Sequence, residues 1–266
     1  MNSFSFRALG FSLLSFICAF LPCPTVAQEP AVLRVLTWNL HHGEGVDGKL
    51  DLNRIAACIR ESQADVVALQ EIEYMTGRTG QVDQPRELGR LCGLSSVFGK
   101  NLDFQGGGYG NAVLSRFPVR SSFNRRLPIL DNGEPRGVLV VELEIPRLPQ
   151  PCLVLCTHLD HRTADSERRL GAGTIRDLIA TRQGVPALLA GDLNDIPESP
   201  VLQLFLKDWE WLQSTPLPTI PVTRPERQID FILTRPLNRW RLTEARVLDE
   251  ATASDHRALL MVLEWQ

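Results

Sequence analysis

Polar side chains collect in this sequence where apolar runs begin or stop. Asn39 follows the run 32–38, Glu71 follows 64–70, His158 follows 153–157, and Asp192 and Asn194 follow 185–190. Asp230 stands at the start of 229–233, and Asp255 and His256 directly precede 258–263. Singly, each has a structural explanation: a carboxylate at a strand end is usually solvated or capping, and a lone histidine is more often a surface or satisfied core residue. As a set they place carboxylates, amides and two histidines at the ends of apolar strands, hence on one rim. Hydrolysis of a phosphate ester needs those types: an activated water, neutralisation of developing oxygen charge and help for the leaving group. Glu71 and Asp255 offer hard oxygens that suit Mg²⁺, with Mn²⁺ as a substitute, and such an ion would act as a Lewis acid on the phosphoryl oxygen. Asp192 is the natural general base. Asn194, two residues on, can face the same cavity from a tight turn and contact the phosphoryl group. His256, next to Asp255, can give a hydrogen bond or a proton to the phosphate.

Those residues need a frame. The opening reads strand, helix, strand: 32–38, a helix capped by Asp51 with Leu52, Ile55, Ala56 and Ile59 along one face, then 64–70. A short helix is expected at 87–92, strands at 112–115, 137–145 and 153–157, a helix at 166–182, and strands at 185–190, 229–233 and 258–263. Gly- and Pro-rich loops fall at 106–108 and 216–225. The glycines at 106–108, with Tyr109 and Asn111, read either as a flexible substrate loop or as a hairpin turn. Strand-rich segments with helices between them suit sheets packed on each other and covered outside. No repeat or linker points to a second domain.

The chain has 266 residues, 44% hydrophobic and 22% charged, a globular composition that argues against a disordered or fibrous chain. Its start differs. Arg7, an apolar run from 9 to 21 and the small residues of Thr25-Val26-Ala27 give the three-part layout of a secretory signal. The run is short of the roughly 20 residues that span a bilayer, so residues 1–27 are expected to be cleaved near Ala27 and 28–266 to form one domain. The protein is then exported, secreted or periplasmic, with no transmembrane segment in the mature chain. Cleavage removes one basic residue and no acidic one, taking the formal charge from −3 to −4. That mild acidity gives no footprint for nonspecific nucleic-acid binding, although a bound cation can supply positive charge locally. Export permits disulfides, but free thiols are favoured for Cys58, Cys92, Cys152 and Cys156.

The strings TWNLHHG (37–43), LQEIE (69–73), GNAVLSRFPV (111–119), THLDHR (157–162), GDLNDIPES (191–199), RQIDFIL (227–233) and SDHRALL (254–260) occur in this order. The sequence thereby resembles the endonuclease/exonuclease/phosphatase superfamily, which includes secreted deoxyribonuclease, abasic-site endonucleases, inositol polyphosphate phosphatases and neutral sphingomyelinases. The resemblance implies an α+β fold, a four-layer α/β/β/α sandwich of two mainly antiparallel sheets with outer helices, and a site in a cleft at one end. It implies that Asn39 completes the metal shell or positions the phosphate. Asp230 would orient His256 and raise its pKa, and His158 would be a second, cationic donor to the phosphate. His158 also argues against the abasic-site branch, which carries a tyrosine near that place.

The expected activity is that of an exported Mg²⁺-dependent phosphoesterase, acting on a phosphodiester as a monomer. A secreted nuclease on DNA or RNA, or an enzyme of sphingomyelinase or inositol-phosphate type, is the alternative; a non-catalytic binding module of the same fold is a remote one. A Ser-His-Asp hydrolase is disfavoured because no G-x-S-x-G elbow occurs, and the cysteines lack zinc-site spacing. His41 and His42 either approach the cleft or lie in an exposed loop, and Arg136 and Arg162 are candidate phosphate contacts. Trp209 and Trp211 are read as a helical core stripe rather than a membrane-docking patch.

Overall fold

The structure, a computed structural model, describes Met1 and residues 29–266. The expected signal peptide, 1–27, lies outside the described residues apart from Met1. The first apolar run is β1 (Val32–Asn39); a 3₁₀ turn at His41–Gly43 leads to α1 (Leu52–Ser62) and β2 (Val66–Tyr74). Asp51 caps α1 as its sequence predicts: its Oδ1 accepts the Arg54 N–H at 3.0 Å, satisfying an amide that the first turn leaves without a partner. α2 (Gln84–Cys92) starts in the same way on Asp83. The chain then forms β3 (Ser95–Phe104), β4 (Gly107–Ser115), β5 (Val119–Arg126), β6 (Gly137–Leu143) and β7 (Cys152–His158). The remainder is α3 (Ser166–Ile179), β8 (Ala187–Asp192), α4 (Pro200–Phe205), β9 (Asp230–Arg235), β10 (Trp240–Val247) and β11 (Leu259–Trp265).

One sheet has six strands in the order β10-β11-β1-β2-β4-β3, the other five in the order β5-β6-β7-β8-β9. Both are mainly antiparallel, and each holds one parallel pair, β1 with β2 and β7 with β8. A parallel pair needs a crossover connection, which α1 supplies in the first sheet and α3 in the second. Leu33, Val35, Leu139, Val154, Ile232 and Met261 meet between the sheets. On the outer faces Ile55, Val67, Leu88 and Leu260 join the first sheet to α1 and α2, while Leu155, Ile175, Phe205 and Trp209 join the second to α3 and α4. Strands buried on both faces read as continuous apolar runs, and β1, β2, β7 and β8 do so. Full burial of each such side chain contributes roughly 1.5–3 kcal/mol. The result is the expected four-layer sandwich.

Three local expectations change. Gly107 and Gly108 belong to β4, and the turn is Gln105-Gly106, both at positive φ, the pattern that lets a two-residue hairpin follow the twist of its strands. The hairpin reading holds in place of a flexible loop. Trp209 is buried but lies beyond the end of α4, so a core contact without a helical stripe accounts for it. Ser166–Ile179 is shorter than the helix expected over 166–182. The four cysteines of the described residues are free.

Candidate active site

His158, Asp192 and Asp230 are register partners on three adjacent strands, His158 opposite Asp192 across β7/β8 and Asp192 opposite Asp230 across β8/β9. Residues paired this way share a face about 5 Å apart. Gly191 makes the row possible: a Cβ there would fall 1.9 Å from the Thr157 carbonyl oxygen, so only glycine admits the close approach of β7 and β8. From the other sheet, Asn39 and Gln70 pair across β1/β2. Glu71 would next point to the opposite face, but the register shifts between Leu69 and Ile72 and Glu71 takes φ +55°. Such a bulge re-aims a side chain, and the Glu71 carboxylate reaches Asn39 as a result.

Asn39 ties the two sheets together. Its Nδ2 donates to Glu71 Oε1 and to Asp192 Oδ2, each at 3.1 Å, while its Oδ1 accepts the His41 N–H at 3.1 Å. Asp192 Oδ1 accepts the backbone N–H of Asn194 at 2.8 Å, the tight turn anticipated from their spacing. Burial, then the charge of Asp230, raises Asp192 to about 7, against the opposing pull of His256, the Asn194 amide and Asn39. A carboxyl group poised near neutrality is suited to general base work.

His256 enters from the loop before β11. Its Nδ1 lies 2.9 Å from Asp230 Oδ2 and its Nε2 3.8 Å from Asp192 Oδ2. Burial disfavours the cation, but the charge and hydrogen bond of Asp230, with Asp192 and Asp255, outweigh it and raise the pKa to about 10. Thr219 Oγ1 donates to the same Asp230 oxygen at 2.5 Å. The loop is fixed by Trp38 Nε1, which donates to the His256 carbonyl at 2.9 Å, and by Ser254 Oγ, which donates to the Asn39 carbonyl at 2.6 Å.

His158 departs from its expected state. Burial and then the Arg136 guanidinium hold it well below the ordinary histidine value, so it stands as a neutral imidazole and not as a cation. Arg136, which can only donate, lies 3.0 Å from His158 Nδ1, and the Asn194 Nδ2 amide, also a donor, lies 2.9 Å from Nε2, the nitrogen 3.5 Å from Asp192 Oδ2. Donors at both ring nitrogens disfavour the cation and select neither neutral tautomer.

Asp255 stands apart from the other expected site residues. It is exposed, and it is not among the residues that line the cavity. Its Oδ1 takes the Ser254 hydroxyl at 3.3 Å, and its recorded effect on the site is the charge that helps hold His256 protonated. Of the expected Glu71–Asp255 metal pair, Glu71 lines the cavity and Asp255 does not. Asp192, Asp230 and His256 do offer ligand atoms within 4.8 Å of one another, but a histidine held protonated donates a proton and does not ligate. A hard divalent cation fits Glu71 better, since no hydrogen bond uses its Oε2 among the described residues. Asn39 presents its nitrogen to Glu71 and accepts the His41 N–H on its oxygen, an orienting crosslink.

Asn39, Glu71, His158, Asp192, Asn194 and His256 line a cavity of about 340 Å³; Tyr109, Arg136, His41 and His42, all weighed in the sequence without a firm role, line it too. Burial, then the charge of Glu71, raises the Tyr109 phenol. Arg162 is absent from this wall: its guanidinium binds Asp160, Glu167 and the Leu130 carbonyl. Arg78, Glu134 and His161 line the cavity unanticipated. The one sequence signal was His161, three residues after His158; Arg78 and Glu134 arrive on loops that no local pattern marks.

Comparison with known proteins agrees with this fold. The solved structure of an endonuclease/exonuclease/phosphatase protein from Beutenbergia cavernae is 28% identical, with a TM-score of 0.70 over 88% of this chain and 72% of that one. The mannosyl-6-phosphatase Bt3783 of Bacteroides thetaiotaomicron, 18% identical, has the same fold, with a TM-score of 0.71 over 87% and 99% of the two chains. A curated relative, the uncharacterized protein YbhP of Escherichia coli K12, is 30% identical over 172 residues, 61% of this chain; the match spans 66% of the relative's length, just under two thirds. Residues 36–256 match the model of the Endonuclease/Exonuclease/phosphatase family, and the chain belongs to that family of phosphoesterases.

Proposed function

We propose that the protein is an exported, divalent-metal-dependent hydrolase of small phosphodiesters, with residues 28–266 as its catalytic domain and the monomer as its working form. The observation that carries the reading is Asp192, buried, raised towards neutrality and held by Asn39 and the Asn194 amide in the same cavity as a protonated His256. Asp192 takes a proton from the attacking water. The Asn194 carboxamide and the neutral His158 imidazole, a ring held by Arg136 on one side and Asn194 on the other, face the phosphoryl oxygens. His256, oriented by Asp230, supplies a charged donor to the phosphoryl group. Mg²⁺, or Mn²⁺ in its place, would be held by Glu71 and would supply Lewis-acid stabilisation of the phosphoryl oxygen. A cavity of about 340 Å³ lies at the small end of ligand pockets, which supports a compact ester over a polynucleotide. The same size supports the second reading, a small phosphomonoester.

The test is turnover of bis-p-nitrophenyl phosphate and of p-nitrophenyl phosphate with Mg²⁺ or Mn²⁺ and with EDTA. Asp192→Ala and His256→Ala should each lower kcat by about 10²–10⁴-fold while the thermal transition persists. Unchanged turnover in either variant would overturn the assignment.

A further inference from the structure

All five histidines of the chain line the one cavity, yet His41, His42 and His161 have no part in the bond-breaking set. Two of them stand beside Arg78 and are held with it by a buried polar network that the hydrolysis does not use. Glu73, in β2, has no exposure; its carboxylate takes Arg78 Nε at 2.6 Å, Arg78 Nη2 and the Thr76 hydroxyl. Thr76 and Thr79 share a hydrogen bond at 2.8 Å. Gln84 joins this network to the histidine turn, accepting the Glu73 N–H at 2.9 Å and donating to the His42 carbonyl at 2.7 Å. His41 and His42 hold φ +44° and +46°, a left-handed conformation that costs non-glycine residues about 1–3 kcal/mol each and persists where the surroundings enforce it.

Burying Glu73 is costly unless its charge is paired and hydrogen-bonded, and its partner is a guanidinium on the cavity wall. Arg78 is further fixed by stacking over the Phe104 ring, 4.6 Å from the centroid. Glu73 occupies the Nε/Nη2 edge, and Nη1 has no partner among the described residues. The open edge of a pre-positioned guanidinium is a phosphate-binding element. His41 stands beside it; its Nδ1 gives a proton to the Glu44 carbonyl at 3.2 Å, so its Nε2 donates only in the imidazolium form. His42 Nε2 is taken by Glu44 Oε2 at 3.4 Å. The two Nη1 protons of Arg78, aimed by Glu73 and Phe104, are therefore the donors that suit two oxygens of a phosphate.

We propose that Arg78, with His41 beside it, forms a second phosphate-binding subsite, so that the preferred substrate is a small phosphoester bearing a further phosphate on its non-reacting part. This rests on the phosphoesterase reading and deepens it. The experiment is isothermal titration calorimetry of the Mg²⁺-loaded protein with methylphosphonate and with α,ω-diphosphonates of two to four carbons, at a free Mg²⁺ concentration held constant. At least one diphosphonate should bind about tenfold tighter than methylphosphonate, a difference of about 1.4 kcal/mol. That ratio should collapse to about one in Arg78→Ala made together with Glu73→Gln, which removes the carboxylate that the single change would strand. Arg78→Lys, which keeps the charge and loses the fork, should retain part of the advantage. Equal binding of mono- and diphosphonates by the native protein, or an advantage that survives the double change, overturns the subsite. Calorimetry needs no turnover, so a failure of the phosphoesterase reading shows as an inert protein towards both nitrophenyl esters and is told apart from a failure of the subsite.

Discussion

His256 Nδ1 lies 2.9 Å from Oδ2 of Asp230, a carboxylate with no exposure to solvent. The pairing reverses what burial alone would do to the imidazole and holds it as a cation facing Asp192.

Replacing Asp230 by Asn should therefore remove the charge while leaving a side chain of the same shape. The expected loss in kcat is about 10²–10⁴-fold. His256 would lose its proton at lower pH, so the alkaline limb of the kcat/KM profile should move down. A profile with an unmoved alkaline limb would show that His256 is not the acid being titrated.

The same groups make a prediction for stability in EDTA. His256 is raised from 6.5 to about 10, so its contribution is present below the ordinary value and lost as pH rises through about 10. Asp192 is raised from 3.8 to about 7, so its contribution is also lost on going up, through about 7. Both have one sign, while His158, held below the ordinary histidine value, adds stability as pH rises to about 6.5; Tm of the metal-free protein should therefore fall as pH rises from about 7 to about 10. His256→Asn should flatten the upper part of that fall. Scanning calorimetry across the range checks it, and a Tm that climbs with pH would contradict the linkage.

Arg136 reaches His158, His161 and Glu134 with its guanidinium nitrogens, at 3.0, 3.3 and 2.8 Å. Lysine keeps the charge but cannot span that fork. Arg136→Lys should reduce kcat/KM on the order of 10- to 100-fold through misplacement of His158. NMR of the imidazole nitrogens should report a changed environment at His158 Nδ1, where Arg136 donates.

Glu71→Gln should weaken apparent Mg²⁺ affinity at least about tenfold, the loss typical even of groups that only support a metal ligand. A Mg²⁺ titration of turnover measures this directly. An unchanged half-saturation concentration would remove Glu71 from the metal site.

The residues at strand ends were legible because strands buried on both faces write themselves as apolar runs, and Asn39, His158 and Asp192 mark where those runs stop. β3, β5 and β10 were not. β5, VRSSFNRR, is largely exposed at a sheet edge, so no apolar period announces it. Gly107 hid part of β4 for another reason: a Cβ there would fall 2.2 Å from the Tyr74 carbonyl oxygen, so a residue poor in strand propensity marks a close backbone approach. The departures within the site have long-range causes. His158 is neutral because it is buried and because Arg136, 22 residues away, faces its Nδ1, and Asp255, adjacent to the buried His256, is exposed. Spacing in a string carries neither the direction of a side chain nor the charge across a cavity.

The Asn39 amide crosses from one sheet to the other, with Glu71 on its own side and Asp192 on the far side. The apolar layer between the sheets therefore works as a gauge block: its thickness sets the gap between the metal carboxylate and the base. A methylene shaved from Val35 or Leu188, remote from any substrate, would retune that gap and reach the kinetics even where the fold absorbs the loss.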